Sequence, residues 1–471
     1  MQRNHILVII FYFLSFSLKA QDISLTDSLK VQEINVEGNF ITSDKVVYRE
    51  LVFKINKNVE RSDIEYFRQT SINNLTKSKL FNFVEIQTDE VSAGTLIVNV
   101  NLTERWFLWP TAFLNHTDRN FSEWWRTKDL HKLEYGVGIK VNNFRGLGES
   151  LELKYHIGGL TRYEFEYAGI HLDKAEHNFL SLHTTFISQN NLSWVTEANK
   201  QVMMKSGDKL FKSRFLGIKY TYRKEYFNFH SIEISYSDLK VADTILSLNP
   251  YFFGFNKQRQ RYFDIGYEFT RDTRDSHFYP KTGYILIAGA DKKGLGILSD
   301  EYNSLDIKIQ LFAYRKIYKR LYAASGILYT STSNKDYDYY SQTGLGYLQF
   351  VRGYEYYVAT GNQSFLFKNL LNFELLPKKI VNLKFWPFRR VYQFNKIPLE
   401  IYTNVFFDAG YVYDKTGMYE QFNNTLVDKI MYGTGVGIDF ITYYDKLLRF
   451  DYSFNSLGEH GLFIHWKAAI R

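Results

Sequence analysis

From about Lys132 onward, hydrophobic and polar residues alternate along most of this chain. In Lys132–Val141, the residues Leu133, Tyr135, Val137, Ile139 and Val141 fall on one side, and Lys132, Glu134 and Lys140 on the other. Leu151–Ile157 repeats the pattern around Glu152, Lys154 and His156, and Leu305–Leu311 repeats it around Asp306, Lys308 and Gln310. A period of two means β-strands with one apolar and one charged face. Short strands of a soluble sandwich share this pattern. Here the runs reach roughly ten residues or more and are rich in aromatics, the length a tilted strand needs to cross a bilayer. The charged face then lines a wet interior. The expected fold is mainly β: a transmembrane antiparallel β-barrel.

Seventeen segments read as barrel strands. They lie near residues 107–114, 132–142, 150–159, 161–172, 176–189, 191–205, 210–223, 228–241 and 259–270, then 282–291, 302–315, 319–331, 363–376, 398–413, 430–441, 446–455 and 461–470. Single-chain bacterial barrels usually have an even count, so about 16 strands are expected. The segment 107–114 is the one expected to be linker or part of a neighbouring unit.

A small α+β module is predicted over residues 31–104, in the order β-α-α-β-β. Ile34–Val36 forms a strand that ends at Gly38-Asn39. A helix follows Ser43, with Val47 and Leu51 one turn apart. A second helix starts at Ser62, where Ser62 and Glu65 have capping-box spacing, and buries Ile64, Phe67 and Leu75. Val84–Ile86 and Leu96–Leu102 are the last two strands. Residues 105–131 form a linker and a possible first strand, and 132–471 the barrel.

Composition sharpens this picture. Residues 1–20 read as a secretory signal, with Arg3 before the apolar run Ile6–Leu14 and Ala20 as the cleavage position. Removing them takes away Arg3 and Lys19 and no acid, leaving +6 of the formal +8 charge. The chain has no cysteine, which excludes disulfides, a thiolate nucleophile, cysteine metal ligands and a lipid-modified N-terminal cysteine. Past the signal, no apolar run is long enough for a spanning helix. Export, no spanning helix and long alternating strands point to a bacterial outer membrane. The 37 Tyr and 40 Phe suit strands and interfacial girdles, and the 6 Pro spare the ladders.

Three motifs carry a family resemblance. Val351-Arg352-Gly353-Tyr354 lies in a long polar stretch between strands. Downstream, Phe406-Phe407-Asp408-Ala409-Gly410 lies within a strand, with Phe406, Asp408 and Gly410 in an F-x-D-x-G pattern. Upstream, Arg271, Asp272, Arg274 and Asp275 precede Pro280 and Gly283. In order and separation, the set resembles the VRG(F/Y) loop, F-x-D-x-G strand and TRDxRD…PxxG turn of the BamA/TamA and two-partner-secretion transporter superfamily (the bacterial surface antigen family). The leading module resembles that family's polypeptide-transport-associated (POTRA) domain. Alternation alone shows that Asp408 faces inward with Glu400, Tyr402, Asn404 and Phe406, opposite Leu399, Ile401, Val405 and Phe407. The resemblance implies that Arg352 meets Asp408. A guanidinium suits that task because its charge is permanent and its fork grips a carboxylate bidentately.

The resemblance further implies a protein that inserts or translocates polypeptides at the outer membrane. The module would stand in the periplasm and take client strands onto its sheet edge. The barrel would open at the seam between its first and last strands. Expected partners are unfolded outer-membrane or secreted polypeptides and the lipid bilayer, with accessory assembly proteins an open class. Lipopolysaccharide head groups suit the basic balance, but Lys and Arg scattered over a luminal face explain it as well. Nucleic acid does not suit an exported barrel. A dedicated secretion pore for one partner protein and a passive porin are the rival readings. The chain has room for one POTRA-like module, and its end, Trp466–Arg471, departs from the family's terminal aromatic residue.

No enzyme, cofactor or metal is expected. The chain has no HExxH, GxSxG or GxxxxGK[ST] motif. Asp272 and Asp275 stand among Arg271 and Arg274, which reads as a charge-paired strand end rather than an acid–base pair. Gly146-Leu147-Gly148 reads as a hairpin turn.

Overall fold

The computed structural model describes residues 28–92, 94–116, 133–158, 160–173, 177–298, 302–334, 337–382, 396–442 and 446–466. The expected signal, 1–20, and the chain end beyond Trp466 lie outside them.

The leading module begins with β1 (Ser28–Glu37), α1 (Asp44–Glu50) and β2 (Asn58–Glu60). It continues through α2 (Ile64–Lys77), β3 (Phe81–Ser92) and β4 (Thr95–Glu104). Its sheet order is β2-β1-β4-β3, with β1 parallel to β4. Val31, Val47, Leu51, Leu75, Val98 and Val100 are fully or almost fully buried between sheet and helices. Two local expectations need correction. The short strand β2 joins the order. The capping box is not formed, because Arg61–Asp63 turn as a 3-10 helix and α2 starts at Ile64 without a side-chain cap.

The barrel sheet starts with β5 (Leu108–His116), β6 (Leu133–Phe144), β7 (Glu149–Gly158), β8 (Leu160–His171) and β9 (Asn178–Gln189). A side hairpin follows, β10 (Asn191–Glu197) and β11 (Lys200–Lys205). The sheet resumes with β12 (Phe211–Lys224), β13 (Asn228–Val241), the short helix α3 (Asp243–Leu248), β14 (Arg259–Asp272), β15 (Gly283–Lys293), β16 (Ser304–Tyr318) and β17 (Leu321–Asn334). After the small pair β18 (Thr343–Leu345) and β19 (Ala359–Gly361) come β20 (Gln363–Asn382), β21 (Lys396–Tyr413), β22 (Ile430–Thr442), β23 (Lys446–Asn455) and β24 (His460–Trp466). The 16-stranded sheet is antiparallel throughout and runs from β5 to β24. The count of about 16 is as expected, but the excluded segment is not. Residues 107–114 lie largely in the first barrel strand, and 191–205 form the hairpin that stands apart. That hairpin alternates too, and alternation cannot say which sheet a strand joins.

The period of two sorts the faces. Tyr135, Val137, Ile232, Ile234, Ile307, Ile309, Phe365, Phe367, Val405 and Val436 are exposed on the outside. In water this apolar belt would be anomalous; a bilayer covers it. Inside, Lys140 pairs with Glu152 across β6 and β7 (3.0 Å), and Lys154 pairs with Glu152 along β7 (2.9 Å). No helix among the described residues is long and apolar enough to cross a membrane.

The module is docked against turns at one end of the barrel. Glu50 receives two bonds from the Arg223 guanidinium (2.7 and 2.8 Å), and Tyr226 Oη donates to Leu51 O (2.8 Å). Ser43 N donates to Gly146 O (2.9 Å), and Asn143 Nδ2 to Thr42 Oγ1 (2.8 Å). Burial by itself would raise the Glu50 carboxyl; Arg223 and then Arg49 outweigh it and hold it at about 2. At the other end, α3, residues 249–256 and Tyr339 pack an aromatic cluster with the β10–β11 hairpin. Asn199 of that hairpin reaches residues 424–426 through its backbone N, Nδ2 and Oδ1 (2.8, 3.0 and 3.0 Å).

Candidate functional site

The connection between β17 and β20 folds into the barrel rather than away from it. Its base is gathered by the β18–β19 ladder, Thr343↔Gly361 to Leu345↔Ala359. Its apolar residues then find a core inside. Leu345, Val351, Tyr354 and Ala359 are buried against Leu366, Phe406, Val412 and Met431 of the inner wall. Long loops usually stay at the surface because their backbone needs water. This one bonds to the wall instead, through the Arg352 guanidinium and Gly353 O.

Arg352, 3 % exposed, meets Asp408, fully buried on β21. Nε donates to Oδ2 (2.7 Å), Nη2 to Oδ1 (2.6 Å), and the Arg352 backbone N to Oδ2 (3.2 Å). Nη2 also donates to Asn369 O (3.2 Å). The guanidinium carbon lies 3.8 Å from the centre of the Phe406 ring. A desolvated stack of this kind contributes about 2 kcal/mol. The first residue of the F-x-D-x-G pattern is thus a platform beneath the Arg352 side chain.

The glycines are needed for fit. Gly353 turns at φ +94°, a region open to glycine without strain. A Cβ on Gly410 would come within 2.5 Å of Val351 Cγ2, and one on Gly433 within 1.8 Å of Arg352 O. Gly433, Gly435 and Gly437 face inward along β22 and leave a strip without side chains, against which the loop and Phe406 lie. The sequence reading missed this strip, although Gly433-x-Gly435-x-Gly437 at strand period marks it.

A second buried pair was also missed. Arg449 Nε and Nη2 each donate to Asp439 at 2.6 Å. A β22–β23 hairpin centred on residue 444 puts these two opposite each other, so its register held the signal. Tyr279 Oη donates to Asp439 Oδ2 (2.9 Å), and its ring lies 4.7 Å from that of Tyr402.

The TRDxRD…PxxG segment is the β14–β15 turn. Arg274 Nε and Nη2 grip Asp272 at 2.9 and 2.7 Å. Arg271 Nε donates to Tyr284 Oη (2.6 Å). Asp275 Oδ1 receives the backbone N–H groups of Lys281 (2.9 Å) and Thr282 (3.2 Å). Pro280 is buried, and Gly283, at φ +91°, would place a Cβ 2.4 Å from Thr273 O. The turn presents Tyr279 to Asp439 but does not join the Arg352–Asp408 pair. Its carboxylates are engaged by arginine and backbone N–H groups, which is structural work.

An inward-folded loop held by a buried ion pair, inside a 16-stranded membrane-type barrel with a small α+β module ahead of it, defines a class of outer-membrane protein. The chain belongs to the Omp85 superfamily: residues 143–460 match that superfamily's domain. Among solved structures, it is similar to BamA from Haemophilus ducreyi lacking POTRA domains 1–3, at 15 % identity and TM-score 0.52, covering 94 % of this chain and 85 % of that one. It is also similar to CdiB from Escherichia coli, at 10 % identity and TM-score 0.55, covering 94 % of this chain and 76 % of that one. At these identities the likeness concerns the fold. No curated protein sequence matches the chain.

Proposed function

We propose that this protein inserts client polypeptides into the outer membrane, with the leading module as a periplasmic, POTRA-like receiver of client strands. The observation that carries this reading is the loop held inside the lumen by Arg352 and Asp408. A loop anchored to the inner wall narrows the channel that a passive diffusion pore would keep open, and such a pore does not need the module. An insertase or a secretion pore does need a plugged barrel, so that handling polypeptides does not open the membrane to solutes. The module supports the same reading. It is fixed beside the barrel by Glu50–Arg223, and β3 is one long edge strand of its sheet. An added strand is a general way to hold an extended peptide. The far end, covered by the β10–β11 hairpin and α3, is then extracellular.

Depleting the protein and comparing the outer-membrane proteome tests the proposal. Loss of several barrel proteins is the expected result. Loss of a single exported protein, with barrels at normal levels, would instead establish the dedicated secretion pore. An unchanged proteome would overturn both. Deleting residues 31–104 should leave a barrel that inserts but does not serve its clients.

A further inference from the structure

On the end of the barrel that carries the module, one hairpin outruns its neighbours. The ladder between β20 and β17 ends at Phe373↔Leu321, and that between β21 and β22 ends at Glu400↔Ile441. β20 nevertheless continues to Asn382 and β21 starts at Lys396, and the two go on pairing from Leu376↔Ile401 to Asn382↔Lys396. Among the described residues, no third strand pairs with 375–382 or 396–399. The result is a two-stranded ribbon with open edges. At its base, Phe373 on β20 and Tyr318 at the end of β16 are exposed, as in the aromatic girdle of a membrane interface. From there, at about 3.3 Å per residue, residues 376–382 carry the ribbon roughly 20 Å further. A head-group layer is only about 5–8 Å deep, so even a tilted ribbon passes through it.

The ribbon and the turn beside it carry charge of one sign. Lys378 and Lys379 are exposed on β20. Arg315 and Lys316 are exposed near the end of β16, and Lys319 and Arg320 in the turn after it. That turn touches the ribbon's base, where Glu374 N donates to Arg320 O (2.9 Å). The acids next to the ribbon, Glu374 and Glu400, are engaged by Lys281, whose Nζ lies 3.0 and 3.3 Å from them. Leu375, Ile380 and Val381 are exposed along the same stretch. An open edge of this kind invites a second copy of itself. Here two copies would bring lysine against lysine, and Pro377 and Pro398 remove donors from the ribbon, so self-pairing is disfavoured. A strand with acidic side chains meets no such repulsion, because opposite charges on neighbouring strands stabilise a sheet.

We propose that the edge formed by residues 375–382 is a docking site for an acidic, extended segment of a periplasmic protein, which adds to the ribbon as a third strand. The backbone of 375–382 supplies the ladder, and Lys378 and Lys379 select the sign of the partner. The four cations at the β16–β17 turn extend the positive field to the base of the ribbon. This site lies on the barrel, apart from the β3 edge of the module. The periplasmic location follows the orientation proposed above; binding itself does not depend on it.

The test is hydrogen exchange of the purified full-length protein in phosphatidylcholine nanodiscs, read over residues 375–382. The probes are two short peptides, one alternating threonine with glutamate and the other threonine with lysine. The Thr/Glu peptide should slow exchange there by roughly tenfold, and the Thr/Lys peptide should not. In the double variant Lys378→Glu with Lys379→Glu the preference should reverse, while exchange over residues 363–373 stays as in the native protein. A Thr/Glu peptide methylated on every backbone nitrogen keeps its charge but has no ladder donors, and should give no protection. Protection of the native ribbon by both unmethylated peptides, or by neither, would overturn the proposal. So would full protection by the methylated peptide, which would leave charge attraction without strand pairing. Slower exchange over 375–382 when phosphatidylglycerol replaces phosphatidylcholine, with no peptide present, would also overturn it, because the ribbon would then be a contact for anionic head groups.

Discussion

Arg352 and Asp408 stand 56 residues apart in sequence, yet they meet through two parallel bonds of 2.7 and 2.6 Å in the interior of the barrel. Both side chains are almost entirely removed from solvent. Each charge is balanced there chiefly by the other.

Removing one partner should cost about 3–5 kcal/mol, because it leaves an uncompensated buried charge. The two single substitutions should differ. Lys368 faces Asp408 in register across β20–β21 and is itself buried. Asp408→Ala therefore leaves two cations uncompensated, whereas Arg352→Ala leaves Asp408 beside Lys368. Heat resistance of the folded barrel in gel-shift assays should fall further in Asp408→Ala. The double substitution should be milder than the sum of the singles, and Arg352→Lys should rescue only partly for want of the fork. Strict additivity would mean that the residues act separately.

Gly433→Ala should displace the loop without touching any charge. The new methyl group would meet Arg352 O, a backbone atom that cannot swing aside. A loss of roughly 1–3 kcal/mol is expected. Gly207→Ala, where an added Cβ meets nothing within 4 Å, is the matched control and should be neutral. Chemical denaturation of both variants gives the comparison.

Docking of the module should depend on pH through Glu50. Its folded value, about 2, lies below the ordinary 4.5, so the docked state is more stable wherever the free carboxyl would already be ionised. That stabilisation is fully present above about pH 4.5 and disappears as the pH falls toward 2. Its size is on the order of 3 kcal/mol, shared between Arg223 of the barrel and Arg49 of the module. Limited proteolysis at pH 7 should cut the α1 region faster in Glu50→Gln than in the native protein. Acidifying the native protein should bring the two together.

The cover at the end of the barrel away from the module should loosen in Asn199→Ala. This residue sits at φ +60° and its side chain makes two of the bonds to residues 425 and 426. Alanine loses both and is less at ease with that backbone. The folded barrel should lose about 1–3 kcal/mol. In planar bilayers its conductance should rise or open more often; unchanged current would mean that the cover does not limit ion flow.

Much of this protein was legible in its sequence, for a physical reason. Alternation is a local property, so Val405 and Phe407 outward with Asp408 inward followed from strand geometry alone. The same rule found most barrel strands, and Val47, Leu51 and Leu75 marked the module's core through helix spacing. The meeting of Arg352 with Asp408 came from motif resemblance, since nothing local makes a polar loop fold inward. Sheet membership is not local either, which is why alternation excludes residues 107–114 from the barrel and counts the β10–β11 hairpin among its strands. Only the tertiary structure placed Glu50 against Arg223, Phe406 under Arg352, and the residues from Gly353 to Tyr357 on the last hairpin. Each of these contacts joins segments far apart in the chain. Their distances depend on how the sheet curls, and a period of two carries no information about curvature.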